Sequence, residues 1–198
     1  HAQHSIFPDT TYGVDSGGNP RHIPELTFEQ FKRFHEDFYH PCNARVYFYG
    51  DDDPERRLAL LQEYLADFEP RAVDSTVKLQ PRFSEPQRLR FPYAVDDSEG
   101  AESKCFVSVN WLLTDDIDAD ERRALQILDH ALIGTAGSPL RKALIDSGLG
   151  EDLTGSGMDT DLAQYAYGAG LKGVKADDVD AVEDLVLDCD GDDRRIGG

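Results

Sequence analysis

His35 and His40 bracket Glu36 in the run His35-Glu36-Asp37-Phe38-Tyr39-His40, which comes close to the helical zinc signature HExxH. In that signature two histidines four residues apart project from one helix face, and the glutamate acts on the metal's water. The spacing here is five. At about 100° per residue, four steps turn a side chain by roughly 40° and five by roughly 140°, so one ion cannot engage both rings. Glu36 and His40 do share a face, and the expectation there is a surface ion pair.

His130 follows Asp129 on an amphipathic stretch, the order in which a carboxylate could orient a catalytic base, but adjacent helical residues do not face each other. A partly buried, hydrogen-bonded histidine is expected instead. Gly168-Ala169-Gly170-Leu171-Lys172-Gly173 spells GxGxxG, yet its first glycines fall inside a predicted strand, whereas a dinucleotide site needs them in the turn that opens a helix. Asp188, Asp190 and Asp192 alternate like the first ligands of a calcium loop, but the sixth position is Asp193 where glycine is needed. Asp51-Asp52-Asp53 is explained by helix capping. No G-x-S-x-G elbow occurs, and no motif activates Cys42, Cys105 or Cys189. No catalytic, cofactor-binding or metal-ligating residue is therefore assigned.

The elements that would carry such groups alternate between helix and strand. Thr27 stands three residues before Gln30 at capping-box spacing, and Phe28, Phe31, Phe34 and Phe38 recur at helical intervals, predicting a helix over 27–39 that His40-Pro41 stops. Ala44 to Gly50, with Val46 and Phe48 against Arg45, Tyr47 and Tyr49, predicts a strand. Asp53-Pro54 opens a helix to about Phe68, with Leu58, Leu61 and Leu65 inward. Residues 70–103 carry Pro70, Pro81, Pro86 and Pro92 and read as a linker with one edge strand near 88–93.

Beyond it, Cys105 to Leu113 predicts a strand buried on both faces, and Asp118 with Glu121 caps a helix carrying Leu125, Leu128, Ala131 and Leu132 to about Gly134. Ser138-Pro139 begins a short helix with Leu140 and Leu144, closing around Gly148 to Gly150. From Gln164 to Leu171 one face carries Tyr165, Tyr167, Ala169 and Leu171 and the other only Ala166, Gly168 and Gly170, so close packing against the smooth face is expected. A last helix begins near Asp177 with Val179, Val182 and Val186 inward, and the pattern fails from Cys189 onward. These elements define an α+β fold.

The 198 residues suffice for a sizeable core without disulfides or metals. The net charge of −19 disfavours nucleic acid and anionic membranes and favours cationic partners such as basic peptides. Three widely spaced cysteines suggest a reducing compartment. No apolar run approaches the roughly 20 residues that cross a bilayer. The first residue is His1 and segment 1–26 opens in turn-rich sequence, so the true N-terminus is expected to lie elsewhere.

The wording of several segments goes further. Phe7-Pro8-Asp9-Thr10-Thr11-Tyr12-Gly13-Val14-Asp15-Ser16-Gly17-Gly18, Tyr39-His40-Pro41-Cys42-Asn43-Ala44-Arg45, Val109-Asn110-Trp111-Leu112-Leu113, Ser138-Pro139-Leu140-Arg141-Lys142, Ser147-Gly148-Leu149-Gly150-Glu151 and Gly170-Leu171-Lys172-Gly173-Val174 follow in order. Together they resemble the presequence proteases, subfamily C of the M16 zinc metallopeptidases, from about Ser5 to Leu187.

The resemblance implies the end of one M16-type sheet-and-helix domain over 1–75, a linker over 76–103 and the start of an incomplete second domain over 104–187; the tail over 188–198 has no core-forming pattern and reads as irregular, and it departs from the family, in which the helix continues. It implies a parent enzyme that degrades unstructured, basic presequence peptides in the mitochondrial matrix or chloroplast stroma, using zinc held by an inverted HxxEH motif and a distal glutamate. No HxxEH occurs in this sequence, and in the family those ligands precede this segment, so none is carried over and no zinc is expected on these residues. The expected role is chamber wall and domain packing, with the remaining domains of the parent as partners. A non-catalytic peptide-binding or partner module using the acidic surface or a sheet edge is the alternative. A third reading leaves the piece without an independent role.

Overall fold

The computed structural model describes residues 1–94, 105–113, 117–155 and 157–191, the side chains of 189–191 excepted. The chain divides into two compact units, one of residues 15–77 and the other of residues 1–14 with 78–198. The opening fourteen residues thus belong with the later part of the chain, a grouping that segment order alone does not suggest.

In unit 15–77, helix α2 (Phe28–Phe38) opens with the expected capping box: Thr27 Oγ1 accepts from the Gln30 amide at 3.2 Å, and Gln30 Oε1 accepts from the Thr27 amide at 2.9 Å. Its last turn is closed by Arg71, whose guanidinium donates to the Glu36 and Asp37 carbonyls. Pro41-Cys42-Asn43 forms a single 3₁₀ turn. Helix α3 (Pro54–Leu65) starts on the Asp53 carboxylate, which accepts from the Glu55 and Arg56 amides, and proline at the first position needs no amide partner. It stops three residues short of Phe68.

The strand expected over Ala44–Gly50 does not form, because a strand needs a ladder and this unit offers no second one. Ala44 is extended, with φ −111° and ψ 147°, but residues 45–49 make no backbone hydrogen bond among the described residues. No residue of 15–77 is buried.

The other unit is built on a small antiparallel sheet. Its strands are β1 (Cys105–Leu112), β2 (Asp152–Leu153), β3 (Gly157–Asp159) and β4 (Ala166–Val174); β4 is central, with β1 on one side and both β2 and β3 paired to it. Among the described residues the unit also has four α-helices: α1 (Ala2–Ile6), α4 (Ala119–Asp129), α5 (Pro139–Asp146) and α6 (Val179–Gly191). Helix α4 carries the expected box, with the Asp118 carboxylate accepting from the Asp120 and Glu121 amides at 2.8 Å each. It runs into a π-helical turn over His130–Gly134, so the helical run ends where the apolar pattern ends.

Helices α5 and α6 cover one sheet face. Leu140, Leu144, Ala169, Leu171, Val174, Val182 and Val186 are each at most 2 % exposed and form the core with Ile133. Each fully buried leucine or valine contributes about 1.5–3 kcal/mol, so these few side chains hold the unit together. Val179 is only half-buried.

Burial of β1 on both faces is not found. Cys105, Val107, Val109 and Trp111 lean on the core, but Phe106 is 62 % exposed and Ser108 faces outward. An alternating strand with one covered face is the ordinary antiparallel case. Leu112 at the far end packs on Ile6, Phe7 and Ala166, so α1 and the residue after it cover part of the smooth face of β4. The turn-rich composition of 1–26 predicts neither α1 nor the burial of Phe7, which is 1 % exposed.

The glycines of β4 set how close the strands lie. A Cβ on Gly170 would stand 1.9 Å from the Val107 carbonyl oxygen, so the close neighbour is the adjacent strand itself. Gly173, at φ +70°, is the extra residue of a β-bulge: Cys105 pairs with Val174 and Phe106 with Lys172, leaving Gly173 unpaired.

Residues 66–94 hold no helix or strand, so the edge strand expected over 88–93 is absent. The later part of that stretch is nevertheless anchored in its unit. Gln80 is 3 % exposed, its amide donating to Gln164 Oε1 at 2.5 Å and its side chain to Asp9 Oδ2 at 2.7 Å; Arg88 pairs with Glu183 at 2.8 Å.

Candidate functional site

The two histidines of the near-miss zinc signature have separate structural employment. The His35 ring stacks on Tyr39 with centroids 4.8 Å apart. His40 lies beyond the helix end, where its Nδ1 accepts from the Cys42 amide at 3.2 Å and its ring meets the edge of Phe68. The expected Glu36–His40 pair is not formed, since Glu36 pairs with Lys32 at 3.5 Å. Only a continuous helix would have put Glu36 and His40 on one face, and the helix stops at Phe38.

Asp129 and His130 also do not cooperate. Asp129 Oδ1 accepts from the Met158 amide at 3.0 Å, fastening β3 to the end of α4. His130 is exposed, contrary to the expected partial burial, and its ring lies over Gly134, where a Cβ would come 2.5 Å from Nδ1. The π turn leaves the His130 carbonyl to the Ser138 hydroxyl, which donates to it at 3.2 Å. The glycines of the GxGxxG spelling are consumed by strand pairing. Helix α6 continues through Gly191, so Asp188 and Asp190 sit on helical backbone, which a calcium loop does not use; Asp192 and Asp193 lie outside the described residues. Asp53 caps α3 as expected, and Asp52 pairs with Arg57, whose hydrogen bond holds the Asp52 carboxyl below its ordinary pKa.

Among the described residues no group of three or more histidine, cysteine, aspartate or glutamate side chains converges as metal ligands. The described residues do not fit a catalytic zinc ion: the His35 and His40 rings are engaged in stacking and capping, and no third ligand converges with them among the described residues.

A cleft of about 350 Å³ lies between the π turn, α5 and the β2–β3 connection. It is lined by polar groups that include Asp129, Arg141, Asp152 and Thr154. Asp129 is already engaged with Met158, and Asp152 accepts from the Leu153 amide and pairs with Lys172 at 3.2 Å. The Leu153 amide first, and Lys172 second, hold the Asp152 carboxyl below its ordinary pKa. With no histidine or cysteine on its walls, the cleft lacks a base paired to a nucleophile, and its carboxylates tie strands to helices. No helix among the described residues is long and apolar enough to cross a membrane.

Residues 25–189, which include the small antiparallel sheet and the helices packed on it, match the family model described as "Peptidase M16 inactive domain". The chain belongs to the M16 peptidase family. It is 50% identical over 190 residues to presequence protease 1, chloroplastic/mitochondrial, of Arabidopsis thaliana, an overlap of 94% of this chain and 18% of that protein. It is 38% identical to the mitochondrial presequence protease of Mus musculus, over 94% of this chain and 18% of the relative. It is 35% identical to protein HypA of Clostridium perfringens, over 93% and 19%. The chain thus spans under a fifth of the length of these curated relatives.

Proposed function

We propose that this chain is a non-catalytic piece of a longer zinc metalloendopeptidase of subfamily C of the M16 family, one that degrades unstructured, basic peptides such as cleaved targeting presequences in the mitochondrial matrix or chloroplast stroma. The observation that carries the reading is the match along 94% of the chain, at 50% identity, to a presequence protease, joined to the inactive-domain assignment. In this reading residues 1–75 end one M16-type domain in sequence order, although their first fourteen residues group with the later unit; 76–103 link it to the next, and 104–187 begin a second. They supply chamber wall and domain packing.

The zinc and its ligands belong to other residues of the parent. What this chain contributes is shape and charge: the net charge of −19 attracts cationic peptides and repels nucleic acid. Sequencing the transcript upstream of the codon for His1 tests the proposal. An in-frame HxxEH supports it, and a reading frame that lacks the motif overturns it.

A further inference from the structure

We propose that the cleft between the π turn, α5 and the β2–β3 connection binds a small zwitterion of the free amino acid or dipeptide class, with Arg141 taking its carboxylate and Asp129 its ammonium group. The inference goes beyond the proposed parentage and does not rest on it.

The charged groups of the cleft differ in how far they are already satisfied. Asp152 is neutralised in place: its Oδ1 accepts from the Leu153 amide at 2.8 Å, and its Oδ2 pairs with Lys172 at 3.2 Å. Arg141 is half-buried and makes no hydrogen bond or ion pair among the described residues. It acts on Asp152 only through space, behind the Leu153 amide and Lys172. Asp129, also half-buried, gives Oδ1 to the Met158 amide at 3.0 Å and leaves Oδ2 unbonded among the described residues. One open cation and one open carboxylate oxygen therefore line the same cleft of about 350 Å³ without pairing to each other.

That pattern selects the ligand. A simple anion gains from Arg141 and is repelled by Asp129, and a simple cation meets the reverse, so each loses at one end what it gains at the other. The net charge of −19 further disfavours a bare anion. A molecule carrying both charges gains at both ends, through charge-assisted hydrogen bonds. Ile133, Leu153 and Met158 also line the cleft and offer apolar surface to an aliphatic side chain. The volume lies at the lower end of small-molecule sites, which suits one or two residues and not a longer peptide. The frame is set before a ligand arrives. Asp129 is held by the Met158 amide, and Arg141 stands in the first turn of α5, whose Leu140 and Leu144 are at most 2 % exposed.

The test is titration of the 198-residue chain with the dipeptide L-alanyl-L-leucine, read by calorimetry and by amide NMR. The expected result is saturable one-to-one binding that moves the Leu153 and Met158 amide signals. Masking the carboxylate as a C-terminal amide, or the ammonium by N-acetylation, weakens binding about 10-fold or more in each case, and these capped peptides test the charges without altering the protein. Arg141→Met brings a similar loss and makes the dipeptide and its C-terminal amide equivalent. Asp129→Asn, which keeps an acceptor for the Met158 amide, does the same for the N-acetylated form. An unmoved urea transition in Trp111 fluorescence shows that both variants keep the fold. Absence of saturable binding up to about 20 mM dipeptide overturns the inference. Capped peptides that bind as well as the free one, or folded variants that still discriminate between them, overturn it as well.

Discussion

Replacing Gly170 by alanine would place a Cβ 1.9 Å from the Val107 carbonyl oxygen and 2.7 Å from Ser108 Cα. An ordinary C···O contact needs about 3.3 Å, so β1 and β4 must separate locally by about 3.3 − 1.9 = 1.4 Å. Both obstructing atoms are backbone and cannot swing aside. Overpacking of a tight site typically costs 1–3 kcal/mol, and a clash with a ladder should cost about 3 kcal/mol.

Gly168 supplies the control. Its Cβ would meet Asn110 Oδ1 at 2.7 Å, the end of a side chain whose Nδ2 donates to Ser108 Oγ at 2.9 Å and to the Ser108 carbonyl at 3.4 Å. Losing the hydrogen bond to Oγ costs about 1 kcal/mol, and the entropy gained on replacing a strand glycine returns roughly 0.5–1 kcal/mol. Trp111 is the sole tryptophan, stands in β1, and lies 5.8 Å from Tyr167 of β4, so its fluorescence reports this strand pair. With a urea slope of about 1.5 kcal/mol/M, Gly170→Ala lowers the unfolding midpoint by about 2 M and Gly168→Ala by less than about 0.5 M. An unshifted midpoint for Gly170→Ala, or equal shifts for the two variants, would refute the reasoning.

Leu171→Ala removes a side chain that is 0 % exposed and should cost about 2–5 kcal/mol, seen as a lower urea midpoint in Trp111 fluorescence. Thr27→Ala removes the hydroxyl that caps the Gln30 amide at the start of α2 and should cost that helix about 1 kcal/mol, read as faster amide exchange in residues 28–31 with the Trp111 transition unmoved. The Asp152 carboxyl titrates below its ordinary value in the folded chain, so the unfolded chain binds its proton first on acidification. Its contribution is therefore present above about pH 4 and lost as pH falls through the lowered native pKa. Asp152→Asn should shrink the fall in urea midpoint between pH 6 and pH 3, and an undiminished fall would contradict the assignment.

The elements legible in the sequence are those decided within a few residues. The boxes at Thr27 with Gln30 and Asp118 with Glu121 specify helix starts locally, and both are present. The periodicity that placed Leu140, Leu144, Val182 and Val186 inward is fulfilled, because the core they face lies in the same unit. Residues 44–50 have the composition of a strand but no ladder, since strand formation depends on a partner that local pattern cannot supply. Phe7 escaped notice because one buried aromatic in a turn-rich stretch has no periodicity to announce it. For His35 and His40, stacking on Tyr39 and capping of the Cys42 amide are contacts that only coordinates reveal.

The central claim is that these residues are the non-catalytic share of a metallopeptidase, and metal content with turnover tests it most directly. The 198-residue chain and its full-length parent are each equilibrated with zinc, dialysed, assayed for bound metal and offered an unstructured basic peptide. The account predicts about one retained zinc and chelator-sensitive cleavage for the parent, and neither for the short chain. Stoichiometric zinc and chelator-sensitive cleavage by the short chain alone would contradict it.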